Sequence, residues 1–126
     1  MPFYGGGQGI ADLGQVIIDS VLYTVKSARV RATASGNTQI LAAVAAKQIK
    51  PIAYSVGPVS AAVTVTVQDA AGTPIIMLGP FDCAANGGIV DGTPKENDQI
   101  GTSNTAINVN LSGTANVTVH LRYVEV

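Results

Sequence analysis

Charged side chains are scarce in this chain. Asp, Glu, Lys and Arg make up only 12% of its 126 residues, against about 25% in an ordinary soluble domain. Thr, Ser, Asn, Gln and Gly take their place, while the apolar fraction, 47%, is unremarkable. A free monomer with so few charges is poorly protected against self-association, which predicts a surface covered largely by partners. The formal net charge of -1 gives no pull toward nucleic acid or an anionic membrane.

Other scarcities exclude chemistry. Cys83 is the one cysteine, so no intramolecular disulfide can form. Its neighbours Asp82 and Ala84 offer none of the positive charge that makes a thiolate, so Cys83 reads as a small core hydrophobe. His120 is the one histidine, and it alternates with Val119 and Leu121 far from any nucleophile motif, which fits an exposed or interface-facing side chain. One Cys and one His are too few for a zinc site of the usual kind. No cofactor is expected. There is no tryptophan, which weakens any reading as a glycan platform. No apolar run reaches the ~18–20 residues that span a bilayer. The glycine-rich start has no basic region of the kind that opens a signal peptide, so the sequons at Asn110 and Asn116 are expected to be plain strand residues.

What is present is period-two alternation. In residues 63–68 the valines share one face; in 107–112 the aliphatic residues do; in 117–123 Val117, Val119, Leu121 and Tyr123 do. A helix would scatter these side chains, so all three segments predict half-buried strands. Further strands are expected over 23–32, 39–45, 49–56, 75–78 and 89–90. Ser112-Gly113-Thr114 would close a hairpin between the last two strands, Asp69-Ala70-Ala71-Gly72 another, and Asn86-Gly87-Gly88 a tight reversal. The alanine-rich stretch 41–47 also admits a turn or two of helix. About eight short strands spaced about ten residues apart predict an all-β antiparallel sandwich, jelly-roll-like, over residues 21–126. Residues 1–20 are expected to form a separate N-terminal arm. Its Gly5-Gly6-Gly7-Gln8-Gly9 stretch carries a high ordering entropy, so it becomes ordered only against a neighbour.

Two groups remain as candidate sites. Asp91, Glu96 and Asp98 share the longest polar loop; their spacing misses the calcium-loop pattern, and Lys95 opposes a cation. They read as solvated side chains. Lys26, Arg29 and Arg31 form the basic group. Without interleaved aromatics they do not form a nucleic-acid surface, but they could meet an acidic patch on a protein partner.

Residues 37–126 resemble the small jelly-roll virion proteins of tailed bacteriophages, including capsid decoration (cement) proteins. The resemblance runs through Leu41-Ala42-Ala43-Val44, the lysine-bearing strand 47–54, the valine strand 63–67 and Gly79-Pro80. It continues in Ala84-Ala85-Asn86-Gly87-Gly88 and the ending Leu121-Arg122-Tyr123-Val124-Glu125-Val126. Related sequences often carry Gly-Trp-Phe after the Asn-Gly-Gly turn; here residues 93–101 stand in that place. The resemblance implies a non-enzymatic structural subunit on the capsid surface of a virion, made in the host cytoplasm. It would trimerise, bind the major capsid protein and reinforce the shell, without touching nucleic acid or membrane. The arm would then lie across a neighbour through Phe3, Tyr4, Ile10, Leu13, Ile17 and Ile18, with Lys26, Arg29 and Arg31 as a second contact. A small tail-tip or fibre receptor-binding domain is the alternative.

Overall fold

The computed structural model describes residues 14–93 and 100–126. Ten strands occur among them: β1 (Gln15–Ile18), β2 (Val21–Thr24), β3 (Lys26–Ala32), β4 (Gly36–Leu41), β5 (Ile49–Val56), β6 (Val63–Asp69), β7 (Ile76–Cys83), β8 (Ile89–Gly92), β9 (Ile107–Leu111) and β10 (Val117–Glu125). No described residue is helical.

Eight of the strands form two four-stranded antiparallel sheets, ordered β3-β10-β5-β8 and β4-β9-β6-β7. The pairing runs from the outside of the chain inward: β3 with β10, β4 with β9, β5 with β8, β6 with β7. This is the pattern of one long antiparallel ribbon rolled into a jelly roll, so the expected all-β sandwich is the observed fold. The alternating stretches supply its core. Val65, Val67, Ile107, Val109, Leu111, Val117, Val119 and Leu121 are at most 2% exposed, and burying each such side chain is worth about 1.5–3 kcal/mol.

The expected hairpin across Ser112-Gly113-Thr114 is not there. β9 pairs with β4 and β6, and β10 pairs with β3 and β5, so this connection crosses between sheets. The reason lies in the core. A hairpin would put both aliphatic rows on one sheet, whereas the crossing lets them meet from opposite layers. The hairpin across Asp69–Gly72 does form, joining β6 to β7. Pro80 is tolerated in β7 because that strand lies at the sheet edge and its pairing with β6 is irregular there. The strand expected over 39–45 ends at Leu41. The alanine stretch then makes a single turn, closed by the Lys47 N–H to the Val44 carbonyl at 3.1 Å, in place of a helix.

Residues 15–18, expected to belong to the N-terminal arm, pair with residues 21–24 as a hairpin of β1 against β2, and the strand expected over 23–32 is broken at Val25 between β2 and β3. Its two-residue turn, Asp19 and Ser20, has φ angles of 50° and 65°. Two successive positive φ values define the turn whose twist suits a two-residue hairpin. The boundary expected after residue 20 therefore falls inside a hairpin turn.

The Asn86-Gly87-Gly88 reversal is also present, with Asn86 at φ 65° and the Gly87 N–H bonded to the Ala84 carbonyl at 2.8 Å. Gly88 lies so close to the Val56 carbonyl that a Cβ there would overlap its oxygen and crowd the Gly57 backbone. Gly88→Ala is therefore expected to cost about 2 kcal/mol through overpacking, whereas Gly113→Ala, with open space around it, should leave thermal unfolding nearly unchanged. Differential scanning calorimetry of the pair checks this.

Candidate functional site, a basic sheet face

Strand alternation divides the expected basic group. Along β3, Ser27, Arg29 and Arg31 point outward, while Lys26 shares the inward parity of Ala28, Val30 and buried Ala32. Lys26 lies at the end of the sandwich and pairs with Glu125, Nζ to Oε2 at 3.2 Å. It is therefore not part of the surface that Arg29 and Arg31 define.

In its place the fold adds side chains from β10. Antiparallel register sets Arg29 opposite His120, Arg31 opposite Thr118, and Ser27 opposite Arg122. On the far side of β10, His120 faces Ser55 and Arg122 faces Ala53. Arg29, Arg31, His120 and Arg122 are all exposed, so all three arginines of the chain share one face. A shallow hollow of about 110 Å³ opens among Ala53, Tyr54, Ser55, His120 and Arg122. The four described side-chain carboxylates lie elsewhere. Asp19 is in the hairpin turn, Asp69 is buried, Asp82 is on the other sheet, and Glu125 is beside Lys26.

The outer face of the second sheet carries a different chemistry. Asn37, Asn110 and Thr66 form one register row, and Gln39, Asn108 and Gln68 the next. The Asn37 Oδ1 accepts hydrogen bonds from Asn110 Nδ2 at 2.8 Å and Gln68 Nε2 at 3.4 Å. At the end of this sheet an open groove of about 500 Å³ runs past Thr64, Asp82, Cys83 and Ser112. The Thr64 hydroxyl donates to Asp82 at 2.7 Å, and the Thr64 N–H donates to the Ser112 hydroxyl at 2.8 Å. Burial pushes the Cys83 thiol up from its ordinary value, and the Asp82 charge pushes it further. The thiol is thus protonated and buried, as expected of a core residue.

Asp69, which the sequence marks only as the start of a turn, is the one fully buried charge among the described residues, at 0% exposure. Its Oδ1 accepts from the N–H groups of Ala71 (3.2 Å) and Ile75 (2.9 Å), and its Oδ2 from the Thr102 N–H (2.9 Å) and hydroxyl (2.6 Å). Burial pushes the carboxyl up, but these four bonds outweigh it and hold the group below its ordinary value. Asp69 thereby ties the β6–β7 turn to the connection that enters β9. This is a structural clasp.

Of the other expected site residues, Ile17 and Ile18 lie in β1. Phe3, Tyr4, Ile10 and Leu13 fall outside the described residues, as do Glu96, Asp98 and the Asp91 side chain. Among the described residues no three His, Cys, Asp or Glu side chains gather where a metal could bind, and no helix is long and apolar enough to cross a membrane. No protein-family model, curated protein or solved structure matches this chain. What the fold and its faces define is an all-β jelly-roll domain with one basic and one amide-rich outer surface.

Proposed function

We propose that this chain is a non-enzymatic structural protein of a tailed-phage virion. In this reading it binds the outer capsid surface, through the major capsid protein, as a homotrimer and reinforces the head. The observation that carries the reading is the β1–β2 hairpin. Ile17, Val21 and Leu22 are 57%, 49% and 53% exposed, three of the five large hydrophobics exposed among the described residues. Ile17 and Leu22 are direct cross-strand partners. A two-stranded hairpin is marginal in water by itself, and one with aliphatic side chains on both faces gains most from lying against another protein surface. Scarce charge, and the likeness of residues 84–88 and 121–126 to virion proteins, point the same way.

Co-sedimentation of the purified protein with empty capsid shells, followed by electron microscopy, tests this. Saturable decoration of the shell is expected. The double substitution Ile17→Ser with Leu22→Ser should weaken attachment at least tenfold, as truncating a central apolar contact does, while the sandwich still unfolds cooperatively. Undiminished decoration by the double variant would remove the hairpin from the contact.

The amide rows favour a second reading, a receptor-binding domain at a tail tip or fibre, because planar Asn and Gln side chains can both donate to and accept from sugar hydroxyls. Adhesion of the isolated protein to host cells, with no decoration of shells, would select it.

A further inference from the structure

We infer that Asn86 is a deamidation site gated by the fold: its side-chain amide is kept while the β7–β8 turn is fastened to Val59, and is lost once that fastening opens. The inference stands on the chemistry of this turn and not on the virion assignment.

Asn86 is the one asparagine of the chain followed by glycine, and it is exposed. In such a pair the Gly87 nitrogen, after giving its proton to water or hydroxide, attacks the Asn86 side-chain carbonyl carbon. A C–N bond forms, the Cγ–Nδ2 bond breaks, and ammonia leaves behind a cyclic imide. Water then opens the ring. Cleavage at Cγ gives aspartate, and cleavage at the main-chain carbonyl gives isoaspartate, whose backbone runs through Cβ. The other asparagines precede Thr, Asp, Val or Leu, whose side chains crowd the attacking nitrogen.

Three hydrogen bonds hold the turn out of reach of this reaction. The Gly87 N–H, which must lose its proton, donates to the Ala84 carbonyl at 2.8 Å. The Asn86 N–H donates to the Val59 carbonyl at 2.7 Å, and the Val59 N–H donates to the Gly87 carbonyl at 2.9 Å. Asn86, at φ 65°, takes the third position of a hydrogen-bonded four-residue turn. There a positive φ goes with ψ near zero, whereas ring closure needs the Gly87 nitrogen nearly eclipsed with Cβ, about a third of a turn away. The attack therefore requires the turn to let go of Ala84 and Val59 first. Val59 is 1% exposed, so the anchor is set in the core, and loss of the amide follows the frequency of local opening.

The two products then behave differently. Aspartate tolerates a positive φ, so the turn can close again around it. Isoaspartate adds a main-chain atom between the Asn86 N–H and the Gly87 carbonyl, which puts the two bonds to Val59 out of register. An opening that yields isoaspartate is recorded in the chain for good.

Peptide mapping by mass spectrometry, during incubation of the full chain in mildly alkaline buffer, tests the inference. A free peptide of residues 82–90 is the reference. It is expected to lose the Asn86 amide at least tenfold faster than the folded chain, and the chain unfolded in urea should match the peptide. Val59→Ala keeps the backbone bonds but leaves a cavity beneath them, and should speed the loss in the folded chain at least threefold. Should that variant fail to fold, Gly88→Ala, whose Cβ would press on the Val56 carbonyl, loosens the same turn and decides the point. Equal rates for folded chain and peptide, a peptide that keeps its amide, or a folded-state rate unmoved by the variant would overturn the inference.

Discussion

Asp69→Ala is expected to lower the stability of the domain by about 4 kcal/mol, because it removes four hydrogen bonds from half-buried donors to a charged acceptor, at about 1 kcal/mol each. For a domain of this size that corresponds to a fall in Tm of roughly 15 °C. The four donors are the N–H groups of Ala71, Ile75 and Thr102 and the Thr102 hydroxyl. Asp69→Asn keeps one carbonyl oxygen and should lose less. The pH dependence has a definite sign. The folded carboxyl is held below its ordinary value, so its contribution is complete above the unfolded value of about 3.9 and fades as pH falls through the lower folded value. Urea unfolding from pH 7 to pH 2 should therefore show a loss below about pH 4 in the wild type that is reduced in Asp69→Asn. Equal acid profiles for the two proteins would show that the carboxylate is not the stabilising group.

Leu121→Ala is expected to cost about 3–4 kcal/mol, the sum of lost transfer energy and the cavity left behind. Leu121 is fully buried at the middle of β10, opposite Ala28 on one side and Tyr54 on the other, so neighbouring strands on both flanks prevent collapse into the gap. His120→Ala, one residue away and facing outward, should change stability by less than about 0.5 kcal/mol. Chemical denaturation of the two variants separates the faces of β10 directly. Similar losses for both would mean that the alternation does not describe the strand.

The strands that carry the core were legible because period two survives in the residues themselves. Val63, Val65 and Val67, and then Val117, Val119 and Leu121, needed no knowledge of their partners. The pairing of those strands was not legible. β10 lies between β3 and β5, whose paired residues stand from 63 positions earlier (Val119 with Val56) to 97 (Tyr123 with Lys26), and no local turn encodes that choice. The short Ser112-Gly113-Thr114 link suggested a hairpin for this reason, although core layering decides otherwise. The β1–β2 hairpin was hidden because its turn is Asp19-Ser20. Neither residue is glycine, although both take positive φ.

The basic face was half legible. Alternation within Lys26-Ser27-Ala28-Arg29-Val30-Arg31 already separates Lys26 from the two arginines, and it places His120 with Arg122 on one side of a strand. Only register brings those two pairs together. Asp69 gave no distinguishing signal, since its partner Thr102 is 33 residues away and an aspartate at the start of a turn is common.

On the proposed reading, this sandwich works by placing its exposed β1–β2 hairpin against other protein surfaces. The native mass of the purified chain across a wide concentration range tests it most directly. An assembly of three 12.8 kDa chains, dissociated by Ile17→Ser with Leu22→Ser, is the result the account predicts. A single 12.8 kDa species at every concentration, which also leaves capsid shells bare, would contradict it.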